Sequence, residues 1–345
     1  MEARGVSSDE LSLRGAMRAR TRQTYTTASS RFVAGNGAGD AAAADGKCLL
    51  QFRWPVSESR RMTHEELLPY YAAPGAATDL VGFGDAVDAV PDDVASVVRV
   101  VQGLVVHFGW APLYGVALPP ERVETEKELC TASAVVACAL ERDARPLVEA
   151  RAPGERVAGV CWHFAVLFAA ILRHKGVPAR VRAGFAGYFE RGKHTEHWVG
   201  EYWSRDEHRW VLVDAQVDEL QARIARPDFD TLDVPRDRFL VAGDAWRACR
   251  SGAADPVTFG VAGTSNWGLL EVFGEVLLDI AALRKIELLP WAWYGLATEE
   301  GALEREAVLM DRLAALSRAA DAEALASLGA MVASDERLGA PGEFG

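Results

Sequence analysis

Three side chains in this sequence have the types and order of a nucleophile, a base and an orienting carboxylate: Cys161, His197 and Asp214. A thiol attacks a carbonyl as its thiolate, an imidazole moves the proton, and a carboxylate fixes the imidazole in one tautomer. Cys161 follows a glycine turn at Gly159 and opens an apolar, alanine-rich run, Trp162-His163-Phe164-Ala165-Val166-Leu167-Phe168-Ala169-Ala170-Ile171-Leu172. The run has no internal Gly or Pro. It ends in Arg173-His174-Lys175, then Gly176 and Pro178, which stop a helix. This pattern predicts a helix with Cys161 at its N-terminus, where free N–H groups and the positive end of the dipole favour a thiolate. Taken singly, each residue has an ordinary alternative: a core cysteine, a satisfied histidine, an aspartate that ends a strand. Their order and setting together favour chemistry.

Two predicted strands must bring the base to its orienter. Glu196–Trp203 reads as one and Arg209–Asp214 as the next, joined by the short polar Ser204-Arg205-Asp206-Glu207-His208. If they pair as a hairpin, the start of the first meets the end of the second, and His197 lies near Asp214. Ala179–Ala186 alternates small or apolar with charged residues and reads as a strand entering directly after the cysteine helix. The expected core is therefore an antiparallel sheet packed on the Cys161 helix, in an α+β fold with helical additions on both sides. Upstream, Thr63-His64-Glu65-Glu66 has the form of a capping box. Asp92–His107 is ambiguous between helix and strand and is read as helix for its length. Glu121–Leu147 reads as a helix or a pair of helices holding Cys130 and Cys138. Downstream, Val272–Leu289, Glu299–Leu316 and Ala320–Val332 read as helices, and Gly339–Gly342 as a frayed tail. The expected division is a flexible tail over 1–46, a mainly helical part over 47–150, the catalytic core over 151–220, and a mainly helical extension over 221–345.

Bulk composition excludes several functions. The chain has 345 residues, a net charge of −12 and half its residues hydrophobic, so it can build a large core but does not suit nucleic acid or anionic membranes. Its first residues lack the apolar stretch of a secretory signal. Val94–Leu118 is interrupted by Arg99, Gln102, His107 and Pro112, as a core element is and a membrane span is not. Five cysteines at 48, 130, 138, 161 and 249 do not suggest a disulfide framework, and burial is the expected role of Cys130 and Cys138. A reduced, cytoplasmic setting follows as an expectation. His163, His194 and His197 invite a metal reading, but no HExxH pattern is present and a strand would turn His194 and His197 to opposite faces, so neither a metal nor another cofactor is expected. Gly263–Gly268 lacks a lysine and a preceding strand, and reads as a loop. Arg180 and Arg182 either line the cleft or face solvent.

The segments Gly159-Val160-Cys161-Trp162-His163-Phe164-Ala165, Gly176-Val177-Pro178-Ala179-Arg180, Glu196-His197-Trp198-Val199 and Trp210-Val211-Leu212-Val213-Asp214 together resemble the transglutaminase-like superfamily. The motifs cover about residues 155–218, and weaker similarity extends over about 90 to 295. The resemblance implies a papain-like core with Cys161 as nucleophile, His197 as base and Asp214 as orienter. It also implies an oxyanion site built from the cysteine N–H and an upstream donor, for which Trp110 and Tyr114 are the candidates. Acyl transfer or hydrolysis at an amide or thioester carbonyl through a thioester acyl-enzyme is the expected activity, on a peptide, amide or acyl-thioester substrate. The alternatives are an amide-forming enzyme whose donor is bound to an acyl carrier protein, and a non-catalytic binding member. The calcium-binding loops and flanking sandwich domains of the animal enzymes are missing, which puts calcium-dependent protein cross-linking in doubt.

Overall fold

Every residue from Cys161 to Arg173 is buried, and the rest of the fold wraps this one helix. The computed structural model describes residues 63–341; the tail expected over 1–46 lies outside them. Helices α1 (His64–Ala72), α2 (Gly84–Asp88), α3 (Val94–Leu104), α4 (Pro120–Glu126) and α5 (Ala132–Arg142) precede the cysteine helix, α6 (Cys161–His174). Further along the chain, the first two interleaved with late strands of the sheet, come α7 (Glu219–Ala225), α8 (Ala242–Arg250), α9 (Leu269–Leu283), α10 (Ala302–Arg305), α11 (Ala307–Ala319) and α12 (Ala322–Ser334). The capping box at Thr63 forms, with its N–H donating to Glu66 Oε2 at 2.9 Å.

Among the described residues, seven strands make two sheets. β1 (Val105–His107) and β2 (Val157–Gly159) pair in parallel, with His107 opposite Gly159. The larger sheet contains β3 (Ala179–Ala186), β4 (His194–Ser204), β5 (Arg209–Val213), β6 (Phe239–Val241) and β7 (Phe259–Gly260). Its order is β5-β4-β3-β6, antiparallel throughout, with β7 added in parallel to the start of β4. The expected three strands are thus present in the expected arrangement, packed on α6. Alternation sends Glu196, Trp198 and Gly200 of β4 toward α6 and His197, Val199 and Glu201 to the other face. Gly200 is required there, because a Cβ would run into the Phe168 ring. Removing that one methyl group lets helix and sheet approach closely enough to exclude water along the seam.

The ambiguous stretch over 92–107 is both things in turn, α3 and then β1, since its valines serve either form. The Glu121–Leu147 stretch is the pair of helices that its reading allowed, α4 and α5, with Cys130 half-buried in the link between them and Cys138 half-buried on α5. Cys130 is disulfide-bonded, against the expectation of burial alone, while Cys138, Cys161 and Cys249 are free. A single bridge is set by proximity in space and leaves no mark in cysteine spacing. The end of the described chain is docked, with Leu338 and Ala340 buried.

Arg180 and Arg182 neither line a cleft nor face solvent. Arg182 makes a bidentate pair with Asp279 of α9, at 2.9 and 2.8 Å, and donates to Ser317 O. Arg180 pairs with Glu201 at 2.5 Å and lies over the Trp210 ring. Asp279 also accepts the Ala183 N–H at 3.0 Å, so α9 seals a strand edge that β6 does not reach. No helix among the described residues is long and apolar enough to cross a membrane.

Candidate functional site

Cys161 is the first residue of α6, preceded by Val160 in extended conformation. His163, in the first turn, accepts the Val160 N–H on Nδ1 at 3.1 Å, so its own proton sits on Nε2. Gly159 makes room for this ring: a Cβ there would lie 2.9 Å from His163 Cγ and from Val105 Cγ1. The backbone N–H groups of Trp198 on β4 and of Trp162 face the sulfur and favour its anion. Burial outweighs them. With 5% exposure, and with the Glu196 and Glu275 carboxyls nearby, the Cys161 thiol is pushed well above its usual range. The helix terminus was expected to favour a thiolate. In the resting protein, burial keeps the sulfur protonated instead.

His197 and Asp214 are brought together as the hairpin predicts. His197 Nε2 lies 2.9 Å from Asp214 Oδ2, and both side chains are buried. Asp214 follows the last residue of β5 and is pinned from every side. Its Oδ1 accepts the Gln216 and Val217 N–H groups at 3.0 and 3.3 Å, and its own N–H donates to Thr231 O. Burial alone would raise its pKa; the adjacent imidazole and these donors outweigh burial and hold it below the usual value. With Nε2 committed to the carboxylate, Nδ1 is the nitrogen left to exchange a proton. Among the described residues no hydrogen bond joins His197 to Cys161. The Trp198 N–H facing the sulfur belongs to the next residue along β4, so nucleophile and base flank one short stretch of strand.

The two oxyanion candidates differ in placement. Trp110 packs on Phe189 with ring centroids 5.7 Å apart, and Phe189 packs edge-on against His197 at 4.9 Å. Tyr114 is engaged elsewhere: its hydroxyl donates to Asp218 at 2.8 Å and accepts from Gln221.

Sequence reasoning passed over four features. Tyr188, in the β3–β4 connection, donates to Asp214 Oδ2 at 2.6 Å. His107, at the end of β1, accepts the Gly109 N–H on Nδ1, and burial together with the neighbouring His197 and His163 lowers its pKa to about 3. Glu196 rises to about 7 through burial, although the His197 side chain opposes this. On α9, burial and Glu196 raise Glu271 to about 8, and burial with Glu196, Glu271 and Asp279 raises Glu275 well above the usual range. The spacing of Glu271, Glu275 and Asp279 at every fourth position of an otherwise apolar helix was the available signal for this buried acid stripe. Glu196 Oε1 and Glu275 Oε2 have no hydrogen-bond partner, as neutral carboxyls in an apolar setting tolerate better than anions. His194 and His197 lie on opposite faces of β4, and among the described residues no group of three or more His, Cys, Asp or Glu is placed to hold a metal ion.

Residues 123–215 match the model of the transglutaminase-like superfamily, a span that holds Cys161, His197 and Asp214. A solved structure of a candidate cysteine protease from Cytophaga hutchinsonii is similar at 16% identity over 51% of this chain, with a TM-score of 0.30. This chain covers 45% of that protein, and a likeness so low carries no chemistry across. No curated protein matches the chain.

Proposed function

We propose, for a chain whose residues 123–215 are a transglutaminase-like superfamily domain, that the protein is a cysteine-dependent acyltransferase or hydrolase. Cys161 attacks an amide or thioester carbonyl and becomes acylated. His197 takes the thiol proton on Nδ1 and delivers it to the leaving amine or thiol. Water or an amine, deprotonated by the same nitrogen, then releases the acyl group. Asp214 keeps the other ring proton on Nε2 and stabilises the imidazolium that forms. The observation that carries this reading is the buried 2.9 Å contact between His197 and Asp214, beside a strand N–H that faces a cysteine sulfur at a helix start.

Because the resting thiol is neutral, proton transfer accompanies attack. As the sulfur bonds to the substrate carbonyl, its electron density moves to the oxyanion, the S–H becomes acidic, and its proton passes to His197. The Cys161 N–H at the helix start is a natural donor to the oxyanion, and of the two upstream candidates Trp110 is the one whose ring contact, through Phe189, leads to His197.

A second reading has its own support. The low exposure and raised pKa of Cys161 suit a binding member of the superfamily with an inert thiol. Labelling with iodoacetamide, read by mass spectrometry at each cysteine, separates the two. An enzyme labels at Cys161 in preference to Cys138 and Cys249, and His197→Ala slows that labelling at least tenfold. Equal, slow labelling at all three thiols in both proteins favours the binding member. Incubation with an acyl thioester, with and without an added amine, then tells transfer from hydrolysis. A free thioester compared with one on a carrier protein identifies the donor class.

A further inference from the structure

Asp214 Oδ2 carries two donors at once, Tyr188 Oη at 2.6 Å and His197 Nε2 at 2.9 Å. Oδ1 is meanwhile held by two backbone N–H groups. The carboxylate therefore has one oxygen fixed by the chain and one shared between a phenol and an imidazole. Tyr188 is anchored for this task. Gly187 beside it donates to Arg238 O at 2.9 Å, and the Tyr188 ring packs edge-on against Phe229 at 5.2 Å and against His197 at 6.3 Å. A phenol hydrogen-bonded to a carboxylate is a short, charge-assisted contact.

We infer that Tyr188 is a positioning residue for the site: its hydroxyl fixes the direction of the remaining lone pair of Asp214 Oδ2, and so fixes the tautomer and tilt of His197. Burial and the Asp214 charge keep Tyr188 protonated far above neutral pH, so it acts as a permanent donor. With this bond in place, Oδ2 presents its free lone pair to Nε2, and Nδ1 is left toward the reacting side. Without it, the shared oxygen is free to rock about the Oδ1 anchor, and both imidazole tautomers become accessible. The aromatic pair Tyr188 and Phe189 also walls the dyad, with ring centroids 4.8 Å apart, which keeps water from competing for Oδ2. The consequence for reactivity rests on the acyl-transfer reading, whereas the consequence for the histidine does not.

The test compares wild type, Tyr188→Phe and His197→Ala. Two quantities are read: the ring nitrogen chemical shifts of His197, which report its tautomer, and the rate at which iodoacetamide alkylates Cys161. The titratable groups that interact with His197 are Asp214 and Tyr188 in contact with it, Glu196 next to it in β4 but on the opposite face, and His107, so the shifts are followed across pH 5 to 9. The expected result for Tyr188→Phe is a move from the Nε2–H form toward a mixture, with alkylation slowed about tenfold, the scale of one hydrogen bond to a charged group. An unchanged tautomer overturns the inference whatever the rate does, since mere loss of packing would slow alkylation without moving the proton. A shifted tautomer with unchanged alkylation also overturns it if His197→Ala slows the reaction. If His197→Ala leaves alkylation unchanged as well, positioning of the histidine stands and the acyl-transfer reading falls. Should Tyr188→Phe not fold, the wild type decides: the Tyr188 hydroxyl proton and the His197 Nε2 proton, bound to one oxygen, give a mutual nuclear Overhauser effect, and its absence overturns the inference.

Discussion

Replacing Glu196 with Gln should make Cys161 more reactive, and only at neutral pH and above. Glu196 points toward α6 from the same face of β4 as Trp198, and its charge is among the causes that raise the Cys161 thiol. Two residues along a strand span roughly 7 Å. For a carboxylate and a thiolate on the order of that span apart, with an effective dielectric near 20, the repulsion is about 2 kcal/mol. Acting on the thiolate alone, this would correspond to about a thirtyfold change in its population. The same charge attracts the His197 imidazolium, which offsets part of the effect, so about tenfold is expected in the alkylation rate. The pH window follows from the Glu196 pKa near 7. Below about pH 6 the carboxyl is neutral and Glu196→Gln matches wild type. Above pH 7 the wild-type carboxylate forms, and the variant pulls ahead. The assay is the pseudo-first-order rate of iodoacetamide labelling at Cys161 from pH 5 to 9. A variant-to-wild-type ratio flat at one across that range, or already raised at pH 5, would refute the reasoning. The first would mean that Glu196 does not act on the sulfur; the second, that the carboxyl is ionised where burial should keep it neutral.

Other expectations concern stability and the dyad. Glu196 has its pKa raised in the folded state, so its contribution to stability is fully present below about pH 4.5 and is lost as pH rises toward 7. The urea midpoint of Glu196→Gln should therefore gain on wild type between pH 5 and 8. Asp214→Asn removes the charge that stabilises the imidazolium and should slow Cys161 alkylation about 10- to 100-fold at pH 7, while the far-UV circular dichroism spectrum stays unchanged. Gly200→Ala drives a methyl group into Phe168 and should cost about 1–3 kcal/mol in urea unfolding. Arg182→Ala strands the Asp279 carboxylate in the core and should cost about 3–5 kcal/mol, with Asp279→Asn in the same chain recovering part of it.

What the sequence made legible was local. The α6 boundaries follow from a glycine turn, an uninterrupted apolar run and a Gly-Val-Pro stop, each acting within a few residues. The β4–β5 hairpin follows from a short polar connection between two alternating runs, and it alone brings His197 to Asp214. What stayed hidden depends on partners distant in the chain. β1 becomes a strand because it pairs with β2 some 50 residues later. The short β6 and β7 gain their hydrogen bonds only from strands already in place. Tyr188 has no motif to announce it, since its role comes from a contact 26 residues away. Arg182 and Asp279 are 97 apart, so neither explains the other's burial until α9 is docked on β3.

The protonation of Cys161 was the instructive miss, and it bears on how such a site would work. Helix dipole, nearby N–H groups and a neighbouring imidazole all favour a thiolate, and from residue order alone they are the visible terms. Burial by the α6–sheet seam and the carboxyls of β4 and α9 oppose them, and those become visible only in three dimensions. Charge on the sulfur is therefore disfavoured until something changes its surroundings. A polarised carbonyl does so directly, because negative charge moves from sulfur to the oxyanion as the bond forms, away from Glu196 and toward backbone donors. On this account, a carbonyl held against the helix start should react much faster than a small alkylating agent that makes no use of those donors. The ratio of acyl-thioester to iodoacetamide reactivity at Cys161, measured against the same ratio at the free Cys138, should thus exceed one by a wide margin. A ratio near one would mean that the site does nothing for an acyl group that it does not do for any electrophile.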